Sequence, residues 1–367
     1  MRQCFSIGLF ALLVLSLPGC GGFRDTKPQL PGNLDTLCMP DYASGFEMYR
    51  YDSSTLLRIV NPWQGADSVS QWVFLSRDDE KPPKGFAGET IDVPVRRIVC
   101  MSSSYVAFLE ALGADSTICA ISGTGYIWSD KVRNRIAGGE IAEAGFDNSL
   151  NFEKLVALKP DVVFLYGLTG KNAVTDKLHE LGLKTVYIGD YVENNPLGRA
   201  EWITVFGEFT GRRELASTLF DSISNEYNRA KALVSGVEKR PEVMLNAPWQ
   251  DSWFVPGDRS YMVRLLEDAG GNYACRGVDS DQSRPISTET AFVAASQSDF
   301  WLSPGTATSL AELNAMNPRF GSIPPVRNGN VYNNNARTTP EGGSDFWESG
   351  SAYPDRTLKD QIHILHP

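Results

Sequence analysis

The stretch Asn151-Phe152-Glu153-Lys154-Leu155-Val156-Ala157-Leu158-Lys159-Pro160-Asp161-Val162-Val163-Phe164-Leu165 decides how this chain is read. Residues 152–158 read as a short helix, Pro160-Asp161 ends it, and the apolar run 162–166 reads as a strand. A related phrase recurs downstream, where Glu289 opens a helical segment that reaches Asp299 and passes into Phe300-Trp301-Leu302. Each copy runs from an acid near a helix start, through an Ala-bearing helix, to an Asp and a strand. The second copy is two residues longer, ten steps from Glu to Asp against eight. The repeat is weak, and it points to two similar α/β halves.

Around the first copy, strands are expected at 97–101, 118–121 and 185–188. Helices are expected at 104–112, stopped by Gly113, and at 173–181, stopped by Gly182. Around the second copy the same texture predicts strands at 242–246, 300–302 and 331–332. Helices fall at 261–269, 288–295, 310–316 and 355–364. Short strands alternating with helices predict βαβ units and parallel sheets. Between the halves, Leu215, Leu219, Ile223, Tyr227, Ala230, Val234 and Val237 recur at steps of three and four. They predict one helix over 212–236, about 37 Å long at 1.5 Å per residue, long enough to cross from one lobe to another.

Upstream, residues 42–93 read as a small β-rich extension with strands at 46–51, 55–60 and 71–76, separated by Asp52-Ser53-Ser54 and Asn61-Pro62. It is too small for a core of its own and is expected to add strands to a neighbouring sheet. The chain begins with a positive start, Met1-Arg2, and an apolar run from Phe5 to Leu17. That run is too short for a membrane span and fits a secretory signal. It ends in Leu17-Pro18-Gly19-Cys20, which resembles a bacterial lipobox with an uncommon Pro. Read so, 1–19 is a lipoprotein signal, Cys20 carries lipid, and 20–41 is a tether. The alternative is an ordinary signal with a chance Cys. The remaining boundaries are a first lobe at 94–211, the connecting helix at 212–236 and a second lobe at 237–367.

Composition sets outer limits. The chain has 367 residues, 42% hydrophobic, with eight Trp and thirteen Tyr, which excludes a disordered chain and suggests roughly two domains. A formal charge of −10 argues against nucleic-acid binding. Only His179, His363 and His366 are available, too few for a His-rich site for a bare transition metal. No C-x-x-C occurs. Cys100 and Cys119 lie in strand-like runs and are expected as buried free thiols, although spacing alone assigns no pairing among Cys38, Cys100, Cys119 and Cys275.

Taken together, the stretch 151–163, the phrase Arg97-Ile98-Val99-Cys100-Met101-Ser102, Ala269-Gly270-Gly271-Asn272-Tyr273, Asn328-Gly329-Asn330-Val331-Tyr332 and the terminal Ile364-Leu365-His366-Pro367 resemble the periplasmic substrate-binding proteins of ABC importers for iron chelates and vitamin B12. The resemblance covers residue 94 to the end. The extension at 42–93 lies outside the common core and resembles one seen on lipoprotein members from Bacteroides-like bacteria.

The resemblance implies a fold of the class III periplasmic-binding-protein type, with two parallel-sheet α/β lobes on a single long helix, ligand in the cleft and modest closure. It also implies that one acid on each lobe, matched here by Glu153 and Glu289, docks onto arginines of the permease. Helix-start acids favoured by the macrodipole are the plainer reading of both. The implied partners are a metal-chelate ligand (siderophore, haem or cobalamin), an ABC permease and ATPase, and a membrane reached through lipid. The implied location is the periplasmic face of a bacterial membrane, for a monomer without nucleic acid. No cofactor or metal site of the protein's own is expected, because iron or cobalt would arrive inside the ligand.

Ligands in open parallel sheets sit outside the carboxyl ends of the strands. This singles out Ser102-Ser103-Ser104-Tyr105, Gly123 to Trp128, Tyr166-Gly167-Leu168, Gly189-Asp190-Tyr191, Asn246 to Trp253, and Phe346-Trp347. A large planar chelate is best held by aromatic faces and a few polar groups. Ser103, Tyr126, Trp128, Tyr166, Trp249 and Trp253 are therefore the expected contacts. Arg284, before Pro285 in a polar segment, is a candidate for a carboxylate. Packing within the lobes is the competing role for the aromatics.

An enzyme is the rival class, but G-x-S-x-G, G-x-x-x-x-G-K, H-E-x-x-H and a strand-following G-x-G-x-x-G are all missing. An exported hydrolase or a non-transport surface protein on the same fold stays open.

Overall fold

A computed structural model describes residues 35–146, 149–167, 170, 173–249 and 252–367, with Trp249 described through its backbone alone. The signal, Cys20 and most of the tether lie outside these residues. The last part of the expected tether is a strand, Asp35–Cys38, antiparallel to Phe46–Tyr51.

The extension does not add strands to a lobe. It forms its own five-stranded sheet, in the order 35–38, 46–51, 54–60, 70–76 and 89–92. The first four strands are antiparallel and the last is parallel to Ser70–Ser76. The reason is shared core. Phe46, Met48, Leu57, Ile59, Val73 and Leu75 bury one face of this sheet in the same cluster as Trp202, Phe206 and Phe209 of the first lobe. The sheet thus supplies a layer rather than an edge.

Polar bonds fix it in place. Gln71 donates to Thr185 O at 2.8 Å and accepts from Tyr187 N–H at 2.9 Å. Its carboxamide so satisfies the exposed edge of the outermost first-lobe strand. The N–H groups of Asp41, Tyr42 and Ala43 converge on Glu201 at 2.7–2.9 Å.

The first lobe is a parallel sheet in the order 185–187, 162–165, 98–100, 118–121, 142–143. The stretch that opened the reading folds as expected: Phe152–Leu158 is helical and Val162–Leu165 is a strand buried along its length. Asn151 caps the helix, accepting from Lys154 N–H at 3.0 Å, and Lys159 ends it in the left-handed region. The connecting helix is Arg213–Leu233, shorter than expected at about 31 Å. It packs on Ile203–Thr210 and on the closing helix Pro354–Leu365.

The second lobe has a parallel sheet in the order 272–273, 242–245, 300–302, 331–332. A three-stranded antiparallel ribbon over 248–249, 252–255 and 284–287 lies beside it. Cys38, Cys100, Cys119 and Cys275 are all free, and Cys100 and Cys119 are buried, as expected of those two.

Candidate functional site

Both lobe sheets end toward a common cleft. From the first lobe, the strand Thr185–Tyr187 runs into Asp190, Tyr191, Glu193 and Asn194. From the second, three strand ends converge. Glu242–Leu245 leads to Asn246, Phe300–Leu302 to Ser303, and Val331–Tyr332 to Asn333 and Asn334. Asn246 and Ser303 both turn in the left-handed region, at φ 62° and 57°, a conformation non-glycine residues adopt sparingly and often at binding sites. These loops, with Tyr261, Met262, Asp281, Ser283 and Trp347, line a cavity of about 420 Å³.

Arg199 ties the two sides of the cleft together. It sits in the helix Pro196–Glu201 and donates to Asp190 O at 3.2 Å and Tyr191 O at 2.9 Å. Its guanidinium lies 4.1 Å from the ring centre of Tyr261 and 5.8 Å from that of Trp347, both of which line the cavity from beyond the connecting helix. Behind it, Asp190 is fully buried and its Oδ1 has no protein partner. Burial pushes its carboxyl up to about 6, against the opposing charge of Arg199 and a hydrogen bond from Ser104.

The expected contacts fall at different places. Ser103, Tyr126, Trp128, Tyr166, Trp253 and Arg284 are not among the described residues lining this cavity. Tyr166 is one step away, its ring centre 4.3 Å from that of Tyr191. Ser103 opens the helix Ser103–Ala111 beside the first strand end. Arg284 pairs with Val255 in the ribbon, next to the lining residue Ser283. Trp249 pairs with Ser252 in the same ribbon.

Trp253 is corrected outright. It is fully buried, donates to Leu245 O at 3.1 Å and packs against Trp301, Phe292 and Phe320. Alternation along the strand Ser252–Val255 turns it into the second-lobe core and turns Phe254 out.

Tyr126 and Trp128 meet a strap from the far end of the chain rather than the cavity. Residues 336–348 return from the second lobe to the first. A Cβ on Gly343 would fall 2.0 Å from Tyr126 O, so only glycine fits that crossing. Two guanidinium groups lie over the Trp128 ring, that of Arg133 at 5.5 Å and that of Arg337 of the strap at 5.8 Å from its centre. Glu348 accepts from Trp128 N–H at 2.7 Å and Ser129 N–H at 2.9 Å, where the helix Asp130–Ala137 begins.

Burial pushes the Glu348 carboxyl up to about 7, only partly opposed by those two bonds. A raised carboxyl binds its proton more tightly in the native state than unfolded, so its contribution to stability falls as pH rises from about 4.3 to about 7. Urea midpoints at pH 5 and pH 8 are therefore expected to differ more for the wild type than for Glu348→Gln. An equal difference in both would refute the assignment.

The lining residues that sequence reasoning passed over had a legible signal. Tyr191, Asn246 and Trp347 stood in the loops singled out by the strand-end rule. Ser303 and Asn333-Asn334 follow strands by the same rule. The expected contacts came from other loops, or, after the strand Glu242–Leu245, from Trp249 and Trp253 in place of Asn246.

Two α/β lobes on one helix, with a lined cleft at the strand ends, define a solute-binding protein of the class III fold. A sequence profile described as periplasmic binding protein matches residues 98–338, and the chain belongs to that family. An uncharacterized lipoprotein of Methanocaldococcus jannaschii is 26% identical, aligned over 100% of this chain and 94% of its own length. A second uncharacterized lipoprotein of that organism is 25% identical over 94% of this chain and 85% of its own. Among solved structures, the periplasmic heme-binding protein of Vibrio cholerae aligns with a TM-score of 0.58 at 17% identity, covering 74% of this chain and 99% of its own. The periplasmic vitamin B12-binding protein of Vibrio cholerae aligns with a TM-score of 0.55 at 14% identity, covering 74% and 97%. Among the described residues, no helix is long and apolar enough to cross a membrane.

Proposed function

We propose that this chain is the substrate-binding lipoprotein of an ABC importer. It captures an iron chelate or a cobalamin-type corrinoid between its lobes and delivers it to the permease. The observation that carries the reading is the cleft itself, built from strand ends of both lobes and joined across by Arg199.

Its lining combines the rings of Tyr191, Tyr261 and Trp347 with amides and hydroxyls. The charged members are acids, Glu193 and Asp281, with no Lys or Arg among the described lining residues. Such a wall favours a corrin or porphyrin over a polyanionic chelate. The heme- and vitamin B12-binding structures that share the fold support that ligand class.

Lipid attachment at Cys20 would hold the protein on the membrane at its periplasmic face. Two relatives matched along most or all of the chain are named lipoproteins, which supports this part of the reading. Glu153 and Glu289 are the proposed docking points. Both are exposed and stand two residues after a helix cap, Asn151 and Ser287, in the two copies of the repeated unit.

Titration of the lipid-free protein with haem, cyanocobalamin and a panel of ferric siderophores, followed by tryptophan quenching, tests the reading. At least one is expected to bind at micromolar affinity or better. Failure of every one to quench would sink it and favour a non-transport role.

A further inference from the structure

The N-terminal extension reaches the first-lobe wall of the cleft at two points. Its loop over 61–69 is closed on itself. Asn61 N–H donates to Val69 O at 2.8 Å, Val69 N–H to Asn61 Oδ1 at 2.9 Å, and Ala66 N–H to Trp63 O at 3.0 Å. Trp63, half-buried, stands edge-to-face on Tyr187 at 5.1 Å, beside the strand end that leads to Tyr191. A Cβ on Gly167 or Gly170 would come 3.3 or 3.1 Å from its indole. Gln64 N–H donates to the Tyr191 hydroxyl at 3.2 Å. Earlier in the extension, Ser44 and Gly45 N–H donate to the Glu193 carboxylate at 2.9–3.0 Å. Tyr191 and Glu193 both line the cavity, so two cleft side chains of the first lobe are held by backbone N–H groups of the extension.

We propose that the loop over 61–69 is part of the ligand site. Trp63 stands just outside the residues that line the cavity, so a macrocyclic chelate seated against Tyr191 and wider than the cavity would reach the open part of its indole, and the Gln64 N–H fixes the hydroxyl of that tyrosine. The inference rests on the ligand-capture reading above and adds the extension to it as a determinant of which chelate fits. A loop already closed by its own hydrogen bonds loses little freedom when ligand arrives, and a rigid aromatic supplies contact area at low entropic cost. Trp63 is a binding residue in this assignment. Gln64, Ser44 and Gly45 are positioning residues that act through Tyr191 and Glu193.

The test uses the lipid-free full mature chain and the tightest binder among haem, cyanocobalamin and the siderophore panel. Hydrogen exchange over 61–69 is measured with and without that probe, and affinity is measured by calorimetry for the wild type, Trp63→Ala and Trp63→Phe. Protection of 61–69 on binding is expected. Trp63→Ala is expected to weaken affinity about three- to tenfold, with Trp63→Phe recovering most of it. Should Trp63→Ala fail to fold, the exchange data and Trp63→Phe still decide. Tight binding with unchanged exchange over 61–69 and unchanged affinity in the variants overturns the inference and leaves the ligand-capture reading standing. If no probe binds the wild type, both fall together, and that outcome is recognised before any variant is made.

Discussion

Reversing both outward acids, as Glu153→Arg with Glu289→Arg, is expected to abolish uptake in cells that depend on this protein. Affinity of the isolated protein for ligand should stay within about twofold. The argument is geometric. In parallel βα units the helices run against the strands, so a helix start lies at the same end of the lobe as the strand carboxyl ends. Glu153 opens the helix before Val162–Leu165, and Glu289 opens the helix before Phe300–Leu302. One exposed acid on each lobe thus stands on the cleft side of the molecule, yet neither lines the cavity.

A partner that reads both acids senses the relative placement of the lobes. Each reversal also opposes the helix dipole, at a cost of roughly 0.3–1 kcal/mol, so thermal unfolding of the variant must be recorded beside uptake. Wild-type uptake by a folded double variant would remove the docking assignment. Restoration of uptake by reversing arginines on the permease would identify the partner surface.

Glu208→Ala is expected to cost about 3–5 kcal/mol of stability, the largest loss we anticipate from a single polar substitution. Glu208 is fully buried and joins three parts of the protein. It accepts from Thr55 Oγ1 at 3.0 Å and Arg77 Nη2 at 3.0 Å, both in the extension, and from Arg213 Nη2 at 2.8 Å, where the connecting helix begins. Removing the carboxylate leaves two guanidinium groups without their shared acceptor. Burial pushes its pKa up, but the bonds and charge of Arg213, with those from Thr55 and Arg77, outweigh this and hold it below the usual carboxylate range.

The sign follows from linkage. A depressed folded pKa contributes stability above the unfolded value of about 4.3 and loses it as pH falls through the folded one. The gap between wild type and Glu208→Ala, read from urea unfolding, should therefore be full at pH 7 and narrow steadily below about pH 4. A gap under about 1 kcal/mol at pH 7 would mean the network is not a structural joint.

Local periodicity carried most of the fold. The helix Phe152–Leu158, the strand Ile118–Ile121 and the helix Leu310–Met316 fall at the expected residues, because each is set by caps, breakers and apolar spacing within a few residues. The helices Asp130–Ala137, Pro196–Glu201 and Ile203–Thr210 went unread. The first has only Val132, Ile136 and Ala137 as apolar residues, too few for a periodic stripe, and the other two form a buried pair without an exposed face to give a period. The strand Glu89–Asp92 was also missed, since its pairing with Ser70–Ser76 joins segments about a dozen residues apart and leaves little local trace.

By itself, then, the sequence determined two α/β halves, one long helix between them, and the loops that follow the strand ends. Those features depend on neighbours along the chain. Which side chains in those loops face the cavity was decided only in three dimensions. Tyr126 and Trp128 were drawn away by a strap more than 200 residues distant, which ends in Glu348. Trp253 was turned inward by a strand pairing whose partner lies at 284–287. The extension, read as spare strands, became a core layer whose N–H groups hold Tyr191 and Glu193 at the cleft. The physical reason is the same in each case. Burial and hydrogen-bond satisfaction are settled by whichever groups meet in space, and a pattern of residues along the chain does not contain that meeting.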